Sequence, residues 1–286
     1  MLRDIFGWNL PFSPSQSGLA LAAPMLAKLR AAGLLKTRGE NLQASVRVSS
    51  LAGDLFVHSA FPTVQDNAVF FGPDTYRFAR FIQQGLAVPL RREDRADTPV
   101  RVLDVGCGSG AGGVAAVRAL AHLHPADHIE TTMNDINPLA LDYTAVNAAF
   151  AGVPTALALG DALAAIEGLF DAIVSNPPYL DDPAQRAYRH GGAGLGRALS
   201  LRIATAALPR LAPGGRLLLY TGVAIDAGID PFLADMQPVL AQSGCEWSYA
   251  EIDPDVFGEE LEQPAYRHID RIAAVGLTAS RPMKAA

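Results

Sequence analysis

The run Val100-Arg101-Val102-Leu103-Asp104-Val105 passes without a break into Gly106-Cys107-Gly108-Ser109-Gly110. A short, nearly continuous apolar segment is what a strand buried on both faces of a parallel sheet requires. Glycines directly after it allow the sharp turn from strand into helix, and they leave bare backbone against which a ligand can lie. From this point onward strand-like and helix-like segments alternate. Strands are expected at 100–105, 128–134, 155–159, 171–175 and 215–221, and helices at 110–122, 137–150, 196–210 and 231–243. Two further strand-like segments, 246–252 and 269–277, close the chain. Such alternation predicts an α/β fold: a Rossmann-like, doubly wound, seven-stranded, mostly parallel sheet with helices on both faces.

The first hundred residues follow another pattern. Residues 17–33 read as a helix that Pro24 kinks or divides and Gly33 ends. The alternating segment Leu42–Val48 and the segment Leu55–His58 read as strands, and Pro73–Gln84 as a helix. A small N-terminal α+β region is therefore expected over 1–70, either a winged-helix-like recognition unit or a cap on the main domain at 71–286. The polar stretch 91–99 is the best linker candidate.

Composition narrows the class. Half of the 286 residues are hydrophobic, enough for a substantial core. Net charge is −6, divided as 11 Lys+Arg against 8 Asp+Glu over residues 1–100 and 12 against 21 over the rest. That acidic body argues against tight, non-specific gripping of nucleic acid. Cys107 and Cys245 are too few and too far apart for a disulfide framework or a zinc site, and the six histidines are scattered. No apolar run is long enough to span a bilayer, and Pro24 and Asp4 argue against a signal peptide at Gly18–Ala23. A cytoplasmic protein with neither metal nor membrane partner is expected.

Three carboxylates fall at successive expected strand tips: Asp104, then Asp135 beside Ile136, then Asp161 after Gly160. An anion at the first tip repels a pyrophosphate but suits a cationic amino acid. A carboxylate at the second tip can accept both hydroxyls of a ribose, unless Asp135 or Asn137 is spent as a helix N-cap. A carboxylate at the third can accept from an adenine amino group. The fourth strand runs into Asn176-Pro177-Pro178-Tyr179. Two prolines fix the backbone there and remove two N–H donors, which leaves carbonyl acceptors above the sheet. Asn176 adds a side-chain carbonyl, and Tyr179 a flat apolar face. Such a pocket suits a conjugated nitrogen, whose N–H groups it would bind while positive charge develops on the nitrogen. The acidic loop holding Asp253, Asp255, Glu259, Glu260 and Glu262 is expected to be a solvated face, or a lid that meets a basic partner.

Val102–Gly110 resembles the glycine-rich motif of class I S-adenosylmethionine-dependent methyltransferases, over roughly residues 70–280. By that resemblance Asp104, Gly106, Cys107, Gly108 and Gly110 hold the amino-acid end of S-adenosyl-L-methionine, or of its product S-adenosyl-L-homocysteine. Asp135 and Ile136 would meet the ribose, and Gly160 and Asp161 the adenine. The Asn-Pro-Pro-Tyr segment resembles that of enzymes methylating nucleobase amines or glutamine, and release-factor glutamine methyltransferases above all. His190–Leu195 and Leu211–Leu217 resemble further segments of that group. The resemblance implies that Asn176, Pro177 and Tyr179 are catalytic, with Asn176 also near the cofactor. It places Phe71, Pro73, Thr75, Pro178 and Tyr179 around the acceptor. Phe71-Gly72-Pro73-Asp74-Thr75 stands where that group has Pro-Arg-Pro-Glu-Thr, so the arginine is missing and the acid is shorter. The methyl acceptor therefore stays open between a protein glutamine, a nucleobase and a small metabolite. A non-catalytic cofactor-binding module is the remaining alternative.

Overall fold

A computed structural model describes residues 2–13, 23–63, 65–92 and 98–283. The apolar segment 18–22 and residues 93–97 of the polar stretch lie outside the described residues.

Seven strands form the central sheet: β5 (Val100–Val105), β6 (Ile129–Asp135), β7 (Thr155–Leu159), β8 (Phe170–Ser175), β9 (Leu211–Ile225), β10 (Glu246–Asp253) and β11 (Arg271–Ser280). Their spatial order is β10-β11-β9-β8-β5-β6-β7. The pairs β5–β6, β6–β7, β5–β8 and β8–β9 are parallel, and β11 runs antiparallel to both of its neighbours. Consecutive strands build outward from β5 on one side through β6 and β7, and on the other through β8 and β9. The order thus reverses between β5 and β8, and beyond the carboxyl ends of those two strands open α/β sheets form ligand crevices.

Side chains alternate between two covered faces along the central strands. Val100, Val102, Ala172, Val174, Leu218 and Tyr220 pack on one face, with α2 (Pro73–Leu86) and α3 (Ala111–Leu120). Leu103, Val105, Ile173, Leu217 and Leu219 pack on the other, with α5 (Ala198–Ala207) and α6 (Pro231–Ser243). Both faces are covered, which is why these strands read as unbroken apolar runs. The fifth expected strand, 215–221, is the centre of the longer β9. Its extension to Ile225 follows ten residue pairs with β11, from Arg216–Ser280 to Ile225–Arg271, while its start at Leu211 pairs with Phe170 of β8.

The N-terminal region contains a helix, α1 (Ala23–Ala31), and two hairpins, β1 (Leu35–Arg38) with β2 (Asn41–Ala44) and β3 (Val46–Leu51) with β4 (Asp54–Ser59). Pro24 sits in the first turn of α1, where its missing N–H costs nothing. Gly33, at φ 67°, follows the last turn. The expected strand Leu42–Val48 is split at Ser45, because its two halves pair with different partners.

The second hairpin is tied closely to the sheet domain. Asn147, on α4 (Pro138–Phe150), accepts from the Val57 N–H at 2.8 Å and donates to the Val57 carbonyl at 2.9 Å, as a neighbouring strand would. The same amide donates to the Ser109 carbonyl at 2.9 Å, so one buried side chain joins β4, α4 and the glycine loop. Arg118 adds a two-pronged ion pair with Asp54. Asn147→Ala removes the side-chain partner of one buried and two half-buried backbone groups, and we expect a loss of about 2–4 kcal/mol. A urea midpoint within experimental error of the parent would contradict this docking.

Arg92, within the polar stretch expected to be a linker, is buried. Its guanidinium donates to Asp171 Oδ1 at 3.0 Å and to the Thr98 and Pro99 carbonyls. Asp171 Oδ2 accepts from the Arg101 N–H at 2.9 Å. The entry into the sheet domain is therefore anchored at the amino end of β8.

Candidate functional site

Gly106, Gly108 and Gly110 all have positive φ, at 71°, 57° and 79°, and together they turn β5 into α3. A Cβ on Gly106 would meet nothing within 4 Å, so this stretch of backbone is bare. The loop is pinned from β6, where the Asn134 carbonyl accepts from the N–H groups of both Gly106 and Cys107 at 2.9 Å. Asp135 Oδ2 accepts from the Gly108 N–H at 2.9 Å, and Oδ1 from the Asn137 N–H at 2.9 Å. Asn137 is the N-cap of α4, its side chain accepting from Leu139. Asp135 is therefore not spent on capping. It faces the cavity at the tip of β6 with Ile136 exposed beside it. Ser175 Oγ donates to the Val105 carbonyl at 2.8 Å, which holds the tips of β8 and β5 in register.

Asp104 is 1% exposed and accepts from the Gly113 N–H, at the amino end of α3, at 2.7 Å. Burial pushes its carboxyl up to about 7; the Gly113 hydrogen bond opposes that shift and the neighbouring Asp135 charge adds to it. Asp135 is also raised by burial, against the pull of its backbone donors. Two carboxyls with weakened ionisation beside bare backbone form a site that gains from a positively charged guest.

One cavity takes in Asp104, Gly106, Cys107, Gly108, Asp135, Ile136, Asp161, Asn176, Pro177, Pro178, Tyr179 and Thr75. The expected cofactor and acceptor residues from four strand tips and α2 thus meet in one place. Gly110, Gly160, Phe71 and Pro73, expected at the site, are not among the residues that line it. Gly110 starts α3, and Gly160 donates to the Asp135 carbonyl. Pro73 opens α2, and Phe71 stacks on His58 at 5.1 Å and packs against Phe56. Asp161 reaches the cavity rim with both oxygens held by Arg202, at 2.7 and 2.8 Å, and that ion pair lowers its carboxyl below the usual range. Among the described residues, no cluster of His, Cys, Asp or Glu is placed to hold a metal ion, and no helix is long and apolar enough to cross a membrane.

Three features of the site were not picked out from the sequence. Asn134 is fully buried and lines the cavity; its Nδ2 donates to the Ala158 and Gly160 carbonyls, while Oδ1 has no partner. Nothing local sets it apart, since Asn134 stands among the polar residues Glu130, Thr131, Thr132 and Asp135 of β6. Second, the acidic loop folds back as a wall. Glu260 is buried against Arg189, Asp253 pairs with Arg77 at 2.6 Å, and Phe257 meets the Tyr179 ring edge-on at 6.0 Å. Of the five acids expected on a solvated face or lid, Asp253 and Glu260 are taken up by arginines of this same chain, while Asp255, Glu259 and Glu262 are exposed. Third, Tyr179 is 6% exposed, and its hydroxyl donates to Asp74, another lining residue.

A family model described as the methyltransferase small domain matches residues 90–226. The release factor glutamine methyltransferase of Deinococcus radiodurans is 36% identical over 187 residues, covering 61% of this chain and 60% of that protein. The ribosomal RNA large subunit methyltransferase G of Alcanivorax borkumensis is 34% identical over 144 residues, covering 48% and 33%. The chain thus spans 60% or less of the length of these two curated relatives. Among solved structures, an S-adenosylmethionine-dependent methyltransferase from Agrobacterium tumefaciens superposes with a TM-score of 0.52 at 18% identity, covering 87% of this chain and 72% of that one. At that identity the likeness establishes the fold alone.

Proposed function

We propose that this chain, whose residues 90–226 match the family model of the methyltransferase small domain, transfers the methyl group of S-adenosylmethionine to an amino or amide nitrogen of a protein glutamine or a nucleobase. The observation that carries the reading is a juxtaposition. Asn176-Pro177-Pro178-Tyr179 lines the same cavity as the glycine loop, across the point where the strand order reverses.

The residues fit the cofactor. Bare backbone at Gly106, the buried acids Asp104 and Asp135 and the unpartnered Asn134 Oδ1 offer acceptors and no cation. A ligand bearing an ammonium, a sulfonium and ribose hydroxyls is complementary to that set. Asp104 would face the ammonium and Asp135 the ribose. When bound, S-adenosylmethionine supplies an electrophilic methyl group. Asn176 and the Pro177 carbonyl would bind the N–H groups of the acceptor and draw its lone pair out of conjugation. Tyr179 would supply the apolar wall. Arg189 is the one cation among the described lining residues, and it is paired with Glu260, so the cavity itself is not a basic groove. Both the Deinococcus and the Alcanivorax relative are named for acceptors that carry amino or amide nitrogen, which supports the acceptor class. A cytoplasmic setting is part of this reading, and the two unbridged cysteines support it.

Calorimetry with S-adenosylhomocysteine tests the cofactor site, and methyl-labelled S-adenosylmethionine with a cell lysate tests the acceptor. Label is expected in protein or in RNA. Label only in small molecules would refute the acceptor class, and no heat with well-folded protein would refute the whole reading.

Affinity should also depend on pH in a stated direction. The ammonium selects ionised Asp104, and that carboxyl ionises only around pH 7 in the free protein. Binding therefore releases a proton below pH 7, and affinity falls by up to about tenfold per pH unit on acidification while levelling off above 7. Asp104→Asn should flatten that slope. A wild-type profile already flat from pH 5.5 to 8 would remove Asp104 from the ligand contacts.

A further inference from the structure

Asp74 lies in the first turn of α2, a polar position by sequence, yet it is 6% exposed and borders the cavity. Three donors converge on its carboxylate. The Tyr179 hydroxyl donates to Oδ2, the Tyr220 hydroxyl donates to Oδ1 at 2.8 Å, and Arg77, one turn further along α2, reaches Oδ1 at 3.2 Å. Arg77 continues to Asp253 at the end of β10, at 2.6 Å. Through these contacts one carboxylate joins α2, the segment after β8, the middle of β9 and the end of β10.

The consequence for Tyr179 is directional. Its hydroxyl is drawn away into the Asp74 pocket. Its ring lies so close over Gly222 of β9 that a Cβ there would sit 2.1 Å from it, and Phe257 meets it edge-on. The ring is held by contact at Gly222 and by hydrogen bonding at Asp74, and nothing polar of Tyr179 is left for the acceptor. Of these restraints only the hydrogen bond fixes how far the ring is pulled back, because ring contacts tolerate sliding and a charge-assisted O–H bond has a narrow range of lengths.

We infer that Asp74 is a positioning residue for methyl transfer: it sets the depth and tilt of the Tyr179 ring, and so the width of the acceptor slot between that ring and Asn176. The inference rests on the methyl-transfer reading above. It goes beyond that reading in assigning the slot to a carboxylate on a different element, one that binds neither acceptor nor cofactor. Since correct placement of a reacting group within about 1 Å can be worth about 10²-fold in rate, an anchored wall has a measurable effect.

The test uses the full-length protein with Asp74→Asn, Tyr179→Phe, the double variant and Tyr220→Phe. Affinity for S-adenosylhomocysteine, read by calorimetry, should stay within about threefold in all four, because none of these side chains touches the glycine loop. Rates of label incorporation from S-adenosylmethionine into the accepting lysate fraction should fall about 10–30-fold in Asp74→Asn and similarly in Tyr179→Phe. The double variant should lose no more than about twofold further, since both changes cut the same bond. Tyr220→Phe should stay within about threefold. Fluorine spectra of 3-fluorotyrosine-labelled protein with S-adenosylhomocysteine bound give an acceptor-independent readout. The line that vanishes in Tyr179→Phe should be sharp in the parent, and shifted and broadened in Asp74→Asn. An unmoved line, multiplicative losses in the double variant, or a Tyr220→Phe loss equal to that of Asp74→Asn would overturn the assignment. Failure of S-adenosylhomocysteine to bind the parent would instead count against the cofactor reading, independently of the fluorine result.

Discussion

Asn176→Ala lowers turnover by about 10²–10³ and leaves S-adenosylhomocysteine affinity nearly unchanged. That is the scale of effect for removing one preorganised polar group aimed at developing charge. Asn176 lies at the tip of β8, half-buried and lining the cavity, and among the described residues no other side chain holds its amide. Its neighbours are fixed: Ser175 is hydrogen-bonded to Val105, and Pro177 and Pro178 stiffen the backbone that follows. The backbone that carries Asn176 is therefore fixed before any acceptor arrives. Bonds from the Asn176 side chain to the acceptor nitrogen should strengthen as that nitrogen gains positive charge, so the loss falls on kcat. Asn176→Asp keeps the shape and an acceptor oxygen, and appreciable activity should survive. The measurement is the initial rate of label transfer to the accepting lysate fraction, with cofactor affinity read separately. Near-normal turnover of Asn176→Ala would mean that the acceptor atom is not a nitrogen held at this motif, and a small-molecule acceptor would become the better reading.

Asp171→Ala destabilises the fold by about 3–5 kcal/mol, the cost of leaving a buried cation without its partner. Asp171 is 1% exposed and Arg92 7%. One oxygen of Asp171 accepts from the Arg92 guanidinium and the other from the Arg101 N–H at the start of β5. Removing the carboxylate strands a charge and a backbone donor together, where the starts of β5 and β8 meet. For a chain of this size the loss corresponds to a fall in Tm of about 10 °C. Differential scanning calorimetry checks it. Asp171→Asn, which keeps an acceptor for the Arg101 N–H, should recover part of the loss. A variant melting within 2 °C of the parent, about the shift expected for under 1 kcal/mol, would show that the pair contributes little to the fold.

The parallel core was legible because its strands are covered on both faces. Val100–Val105 and Phe170–Ser175 have no exposed face to spend polar residues on, so they read as strands without reference to any partner. The glycine loop was legible for a local reason as well, since positive φ at three alternate positions admits little else. Carboxylates at successive strand tips were legible because strand tips in such a fold share one edge of the sheet.

Other features depended on which surfaces met. The sequence does not reveal that Leu42–Val48 divides between two hairpins, because both halves alternate in the same way and only their partners differ. Arg92 reads as part of a solvated linker, since nothing local announces that Asp171, 79 residues further on, will enclose its charge. The acidic loop reads as a solvent face for the same reason: Arg77 and Arg189, which take up Asp253 and Glu260, come from α2 and from the loop after β8. The hydroxyl of Tyr179 is the clearest case. Its motif is local and recognisable, but the direction in which it points is set by Asp74, 105 residues earlier in the chain. Local residue pattern determined the strands, the turns and the chemical types present at the sheet edge. Long-range packing decided which charges would be buried together, because a charge loses its water only when another element covers it, and that element then has to supply its partner.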